Sequence, residues 1–274
     1  MIDISRFTRP PGKRFRLDEI DPADTGRFKS KAAAAKPTED NLERLRELHE
    51  RLYADGSKGL LIILQAMDTA GKDGTITHVL GPLNPQGVTV TPFKVPTAEE
   101  LAHDFLWRIH AAAPARGSIA IFNRSHYEDV LVVRVKKLVP TKVWKGRYDH
   151  INSFERLLAD SGITIVKLFL HISPEEQAER LRERQRTPEK QWKFLPGDLE
   201  DRKLWPKYMA AYEDALTRCN TPWAPWYVVP ANRKWYRNLV VSSILVETMD
   251  RMNFKYPKPI ENIDQYIIPH VKAR

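Results

Sequence analysis

The residues best suited to chemistry follow the first strongly apolar run of the chain. Residues 60–64 (LLIIL) are apolar and lead into a loop of small residues that ends in Gly71-Lys72. Backbone N–H groups in such a loop, together with the positive end of the following helix, attract anionic oxygens, and the lysine adds a mobile cation. The sequence therefore predicts a phosphate-binding loop, whose contact residues are Thr69, Ala70, Gly71, Lys72, Asp73, Gly74 and Thr75.

This loop departs from the pattern G-x-x-x-x-G-K-[ST] at two positions. Ala66 stands where the first glycine belongs, and Asp73 stands where a hydroxyl normally holds Mg²⁺. A carboxylate inside an anion-binding loop is costly unless it holds a cation. Asp68, on the other side of the glycine, is therefore a candidate Mg²⁺ ligand.

Other charged residues follow the next two predicted strands. Lys94 comes directly after the run over residues 88–93, and Arg124 directly after the run over residues 118–122. A guanidinium at such a strand end can bind two phosphate oxygens at once. In many phosphate-loop enzymes a Mg²⁺-binding carboxylate stands where this chain has Asn123. The nearest carboxylates are Glu128 and Asp129, a helical turn later.

Two further basic stretches have open interpretations. Arg134 leads a series of cations that is either a solvated face or a rail for a polyanion. Residues 180–186 contain four arginines, and the loop-like segment over residues 187–198, which includes Lys193, follows them. The second stretch predicts a lid that closes over transferring phosphates, with a charged surface helix-loop-helix as the alternative.

The elements that must position these residues alternate between strand and helix. Apolar runs are predicted as strands over 59–66, 88–93, 118–122, 163–170 and 226–229, and periodic segments as helices over 38–54, 71–80, 97–110, 149–160, 173–184 and 234–252. Short apolar strands separated by helices indicate a parallel sheet that is covered on both faces, with ligands at the carboxyl ends of the strands. The predicted organisation is an N-terminal arm over 1–37, a domain over 38–255 with a lid at about 180–215, and a tail over 256–274.

Composition limits the class of protein. Lys and Arg outnumber Asp and Glu by 44 to 35, which favours a polyanionic partner: nucleic acid, an anionic membrane or a phosphate-rich molecule. No apolar run reaches the roughly eighteen residues of a membrane span, and the N-terminus lacks the apolar stretch of a signal peptide. The single cysteine, Cys219, excludes an internal disulfide, so a cytoplasmic location is expected.

Taken in order, these motifs resemble the family-2 polyphosphate kinases. The resemblance covers about residues 40–250 and rests on the segments 67–75 (MDTAGKDGT), 103–108 (HDFLWR), 123–135 (NRSHYEDVLVVRV), 192–194 (WKF), 197–198 (GD) and 224–235 (APWYVVPANRKW). It implies an α/β fold of the phosphate-loop, thymidylate-kinase-like type: a three-layer sandwich with a parallel sheet and a helical lid. It also implies Mg²⁺-dependent phosphoryl transfer between inorganic polyphosphate and nucleotides.

The same resemblance implies roles for individual residues. Asp68 would hold Mg²⁺, Lys72 and Arg124 would contact the reacting phosphates, and Arg180 and Arg184 of the lid would stabilise the transition state. Polyphosphate would lie along the basic channel.

Asn123 and Glu128 depart from the commoner family pattern and resemble its third class, whose members phosphorylate both nucleoside monophosphates and diphosphates. On this interpretation Glu128, rather than Asp129, completes the metal site. The expected substrates are AMP, ADP and ATP, with guanine nucleotides as a further possibility, and a homo-oligomer is expected. Neither a membrane nor a nucleic acid is expected as a partner.

Two alternative functions stay open at this point. An ATP-dependent nucleoside monophosphate kinase could use the same fold, although the missing Ser/Thr after Lys72 argues against it. A nucleic-acid-binding protein that has lost catalysis could use the basic lid and the tryptophans. The retained carboxylates argue against this third function, because they repel phosphates unless a metal bridges them.

Overall fold

A parallel sheet of five strands forms the centre of the computed structural model, which describes residues 2–270. The strands are β1 (Gly59–Ala66), β2 (Val88–Pro92), β3 (Ile119–Asn123), β4 (Ile163–His171) and β5 (Trp226–Pro230). Their spatial order is β2-β3-β1-β4-β5, and every pair is parallel. The predicted α/β fold with a parallel sheet is confirmed.

The helices of the described residues are α1 (Lys31–Asp55), α2 (Lys72–Thr75), α3 (Ala98–Ala102), α4 (Trp107–Ala111), α5 (Val132–Val135), α6 (Thr141–Asp160), α7 (Pro174–Arg186), α8 (Pro188–Gln191), α9 (Pro196–Lys203), α10 (Trp205–Arg218) and α11 (Lys234–Arg251). Short α2 continues directly into a π-helical turn, Ile76–Leu80. Every residue of β1 is buried, so helices cover the central strand on both faces. Among residues 2–270, no helix combines the length and the apolar character that crossing a bilayer requires.

The strand order explains where the site forms. β1 lies between β3 and β4: the chain leaves β1 for β2 on one side, and it later crosses from β3 to β4 on the other side. Leu64 of β1 is level with Asn123 of β3, and Ala66 is level with Leu170 of β4. Such a switch point opens a crevice beyond the carboxyl ends of the strands, and the loop that follows β1 enters it.

Several predicted boundaries were wrong. Helix α1 begins at Lys31, so the predicted arm boundary at residue 37 falls inside it, and Pro37 lies within its first two turns. The predicted helix over 97–110 is divided into α3 and α4, and α6 begins eight residues before the predicted 149. The segment 187–198 is not an open loop but carries α8 and the start of α9.

The N-terminal segment packs on its own core rather than extending away as an arm. Ile4, Phe7, Phe15, Leu17 and Phe28 are all less than 9% exposed. Backbone contacts tie the segment to the body, including the amide of residue 17, which donates to the Glu213 carboxylate at 2.8 Å. Of the predicted tail, residues 256–270 are exposed, and residues 271–274 lie outside the described part of the chain.

Candidate active site

A cleft of about 920 Å³ opens at the carboxyl ends of β1, β2 and β3. Basic side chains outnumber acidic ones in its lining. Most of the predicted site residues are among the lining residues. The predicted residues that line it are Asp68, Thr69, Gly71, Lys72, Asp73, Gly74, Lys94, Arg124, Arg180, Arg184 and Lys193.

The phosphate loop takes its shape from unusual backbone conformations. Gly71 has φ +107° and Thr69 has φ +66°, both in the left-handed region. Thr69 is not glycine, so its conformation costs about 1–2 kcal/mol. Thr75 closes the turn behind the loop, because its hydroxyl and amide both donate to the Gly71 carbonyl. Strain held in this way is typical of a binding site.

Lys72 lies at the base of the loop. Its Nζ donates to the Ala66 carbonyl at 3.1 Å. Burial lowers the pKa of Lys72, an effect that the Asp68 carboxylate opposes and the Arg124 guanidinium adds to. An incoming phosphate would favour the charged form of the amine again.

Arg124 stands between two carboxylates. Its Nη2 lies 2.9 Å from Asp68 Oδ1, and its Nη1 lies 3.8 Å from Glu128 Oε2. Arg124 also has φ +66°, which turns the chain sharply at the end of β3. The interaction therefore holds the guanidinium at the mouth of the phosphate loop.

The donor set near Asp68 fits a Mg²⁺ ion that is shared with phosphates. Within residues 2–270, no group of three or more His, Cys, Asp or Glu side chains is arranged to hold a metal. Mg²⁺ commonly needs only one or two carboxylates, completed by substrate phosphates and water. Gln65 donates to Glu128 at 3.0 Å, but its Oε1 and the Thr69 hydroxyl are buried with no partner among the described residues. Waters of a hydrated cation could satisfy both atoms.

Asp129 has a different role from its neighbour Glu128. Its carboxylate pairs with Arg147 at 2.8 Å, whereas the Glu128 carboxylate faces Arg124, the partner of Asp68; neither carboxylate is among the residues that line the cleft. Burial raises the pKa of Asp129 to about 6, in spite of Arg147. This placement leaves Glu128 as the second carboxylate beside Asp68.

Asp73, at the position of the usual hydroxyl, accepts a hydrogen bond from Asn123 at 2.8 Å. Asp73 and Asn123, which both depart from the common motifs, therefore contact each other and join the phosphate loop to the end of β3. Neither residue could be paired with the other from the sequence, because fifty positions separate them.

Arg180 lines the cleft, but its guanidinium is hydrogen-bonded to other parts of the protein. Its Nε pairs with Glu176, and its two terminal nitrogens donate to four backbone carbonyls, of Thr69, Ala70, Ala231 and Asn232. Arg180 therefore fastens the phosphate loop to the end of β5. Arg184 contacts Asp198 and the Lys193 carbonyl through Nη1 alone, so the rest of its guanidinium stays available to the cleft.

Three residues predicted to contact phosphate do not line the cleft. Arg134 lies 2.6 Å from Asp214 and stacks over the Trp144 ring at 4.6 Å. Ala70 and Thr75 are fully buried under the loop. α5 turns the Arg134 side chain towards α10, where a carboxylate partner is available, so its role as a phosphate contact stays a prediction.

Sequence reasoning missed a set of residues that also line the cleft: His78, Lys190, Lys234, Arg237 and Asn238. The last three occupy the first turns of α11, directly after β5. The rule that ligands bind after strand ends could have identified them. The sequence analysis predicted the helix over 234–252 but assigned none of its residues to the site.

Comparisons with known proteins show which family the chain is similar to. The family profile described as Polyphosphate kinase 2 (PPK2) matches residues 28–257. The chain is 53% identical to an AMP/ADP-polyphosphate phosphotransferase of Meiothermus ruber, over 97% of this chain and all of the relative. It is 42% identical to an ADP-polyphosphate phosphotransferase of Rhodopseudomonas palustris, over 90% of this chain and 92% of the relative. Polyphosphate Kinase 2 from Arthrobacter aurescens TC1 superimposes with a TM-score of 0.91 at 44% identity, covering 94% of this chain and 93% of the other.

Proposed function

Because the chain belongs to the polyphosphate kinase 2 family, we propose that it transfers phosphoryl groups between inorganic polyphosphate and adenine nucleotides. The observation that carries this proposal is the cationic cleft, in which Lys72, Arg124 and Arg184 face one space. Two polyanions must meet there, so neutralising their charge is the main catalytic task.

The residues support direct transfer without a covalent enzyme intermediate. A terminal oxygen of the nucleotide attacks the end phosphorus of the polymer. The bridging P–O bond breaks, and the shortened chain leaves with its electrons. His126 is fully buried with its Nε2 on Glu155, and it does not line the cleft. His78 does line the cleft, but direct transfer needs no protein nucleophile, because phosphoryl transfer depends mainly on positioning and charge stabilisation.

Mg²⁺ is part of the proposal, held by Asp68 and Glu128. When bound, the ion would neutralise phosphate oxygens. Asp68 and Glu128 supply its protein ligands, while Lys72 and Arg124 bind the remaining oxygens. We expect Asp68→Asn to lower the rate and to raise the Mg²⁺ concentration needed for half-maximal activity. An unchanged Mg²⁺ dependence would show that Asp68 is not a ligand.

The test of the function is ATP formation by the purified protein with Mg²⁺ and polyphosphate, with AMP and ADP supplied separately. We propose that both are acceptors, as the printed name of the Meiothermus ruber relative states for that protein. ATP from ADP alone would retain the reaction and remove AMP from the acceptors. Activity with ATP and AMP but none with polyphosphate would support a nucleoside monophosphate kinase instead. Salt-sensitive DNA binding without phosphoryl transfer would support the alternative of a nucleic-acid-binding protein that has lost catalysis.

The proposal also covers acceptor range, assembly and location. Guanine nucleotides are proposed as further acceptors, which the same assay tests with GMP and GDP. A homo-oligomer is proposed because large apolar side chains are exposed on the edge strand β2 and on the tail, including Val90, Ile267 and Ile268. Light scattering of the purified protein measures its mass. A cytoplasmic location is consistent with the buried free thiol of Cys219.

A further inference from the structure

Arg237 forms the floor of the phosphate loop. It lies in the first turn of α11 and is only 2% exposed. A Cβ atom added to Gly71 would lie 1.8 Å from Arg237 Nη1, and one added to Gly74 would lie 3.3 Å from Nη2. The guanidinium therefore packs directly against the two glycines of the loop. This contact, together with the positive φ, restricts position 71 to glycine.

The charge of Arg237 has no carboxylate partner within residues 2–270. Its Nε and Nη2 both donate to the neutral Asn238 side chain, at 3.1 and 2.7 Å, and Nη1 makes only a long contact with the Ala70 carbonyl. The neighbouring guanidinium of Arg180 differs, because it pairs with Glu176 at 2.9 Å. Burial and the proximity of Arg180 lower the pKa of Arg237 to about 10.

A buried cation without a countercharge is unfavourable in the free protein. It becomes favourable when an anion binds within reach. Arg237 lines the same cleft as Lys72 and Lys234, so the anion that enters the loop is placed to supply the missing charge. The charge of Arg237 would then slightly lower the stability of the ligand-free protein and raise its affinity for the anion.

We propose that Arg237 is a positioning residue of the phosphate loop, whose charge is compensated by a bound phosphoanhydride chain and not by the protein. The inference rests on the proposed function and deepens it. It assigns part of the affinity for the phosphate chain to a residue on α11, outside the Gly-Lys motif. The chain could belong to inorganic polyphosphate or to a nucleotide, and the test separates these sources.

The proposal predicts opposite effects on the free and the bound protein. In Arg237→Met, the thermal midpoint of the free protein should equal or exceed that of the wild type. The rise in midpoint caused by inorganic tripolyphosphate should fall to less than half. The KM for polyphosphate should rise about tenfold, as expected for loss of a charged contact, with a smaller change in kcat. A purely structural arginine would give the reverse: a lower free midpoint and an unchanged rise with tripolyphosphate.

Arg147→Met is the control, because the Arg147 side chain is 17% exposed, pairs with Asp129 and does not line the cleft. It should lower the free midpoint and leave the tripolyphosphate rise intact. Arg237→Lys keeps the charge and should retain most of the rise. That variant decides the question if Arg237→Met does not fold, and a lost rise in Arg237→Lys would then overturn the proposal.

A parallel measurement with ADP separates the two sources of the chain. A reduced rise with tripolyphosphate supports the proposal, whether or not the ADP effect also falls. A loss confined to ADP would assign the compensating chain to the nucleotide, and an unchanged rise with both ligands would overturn the proposal. If tripolyphosphate does not raise the thermal midpoint of the wild-type protein at all, the proposed function fails. If tripolyphosphate and ADP each raise the midpoint of the wild type and of Arg237→Met equally, only the proposal about Arg237 fails.

Discussion

Two of the places where the described residues bury charge differ in the origin of the countercharge. One is a cluster of side chains from α6, β4 and the turn after β3, which we call the inner network: Glu155, Lys167, Tyr127 and His126. The Lys167 amine lies 2.6 Å from Glu155 Oε2 and 2.9 Å from the Tyr127 hydroxyl, and it also donates to the Cys219 carbonyl at 2.6 Å. All four side chains of the network are fully buried. The charges of Lys167 and Glu155 compensate each other within the fold.

The floor of the cleft is organised differently. Arg237 has only a neutral partner, and the Lys72 amine donates only to a carbonyl among the described residues. Burial lowers the pKa of both groups. In the inner network, burial alone would raise the pKa of Glu155, but Lys167 and His126 hold it below its usual value.

The difference separates stability from function. A charge that is compensated within the fold contributes to stability, and removing its partner is costly. A charge that is left uncompensated is available to a ligand, and its removal should affect binding more than folding. The inner network also holds His126 and Tyr127, so it anchors the turn that presents Arg124 and Glu128 to the site.

The largest expected effect is on the inner network. Lys167→Met leaves Glu155 buried without its cation, and should lower the free energy of unfolding by about 3–5 kcal/mol. Urea denaturation measures this loss. The double variant Lys167→Met, Glu155→Gln should recover part of it, because no uncompensated carboxylate remains. A single-variant loss below about 1 kcal/mol, the level of a surface pair, would contradict this account of the network.

At the cleft, Lys72→Met should act on catalysis instead. We expect kcat/KM to fall about 10²–10³-fold, since a preorganised cation at the reacting phosphates is removed. The free energy of unfolding should stay close to that of the wild type, because the fold does not depend on this charge. The steady-state assay and urea denaturation together check both parts. A stability loss like that of Lys167→Met would remove the distinction between the two regions.

The lowered pKa of Lys72 predicts a pH effect that sharpens the comparison. The amine is charged below its pKa and neutral above it, and burial brings that pKa below the ordinary 10.5. The value of kcat/KM should therefore fall about tenfold per pH unit once the pH exceeds the lowered pKa. In Lys72→Arg the fall should begin at higher pH. The same alkaline profile in both proteins would assign the fall to another group.

The smallest effect is expected at Arg134, which the sequence placed among the phosphate contacts. Its partner Asp214 is 45% exposed, so the pair should contribute about 0–1 kcal/mol to stability. Arg134→Met should change the KM for polyphosphate less than about twofold, because a paired surface charge outside the cleft contributes little. Steady-state kinetics over a range of polyphosphate concentrations provides the measurement. A large rise in KM would show that Arg134 contributes to polyphosphate binding.

Local sequence was enough to predict several elements of the fold. The strand over 59–66 matches β1, since an apolar run bounded by turn residues depends little on distant partners. The capping box at Thr97 and Glu100 does begin a helix, as predicted, but the helix ends at Ala102. Its end depends on packing around the following turn, which the capping residues do not contain. The N-terminal segment was misjudged for a similar reason, because its five buried apolar residues are spread among charges and show no periodicity.

The sequence by itself determined the fold class, because apolar runs and periodic segments alternate along the domain. It also determined the phosphate loop and the carboxylates around it, because these are encoded within a few consecutive residues. The tertiary structure decided which cations face the cleft. Arg134 is paired away by a residue 80 positions distant, Arg180 is engaged by carbonyls at both ends of the domain, and Arg237 reaches the loop from α11. The physical reason is that whether a charge is free or compensated depends on what packs against it, and in a parallel sheet those neighbours come from distant parts of the chain.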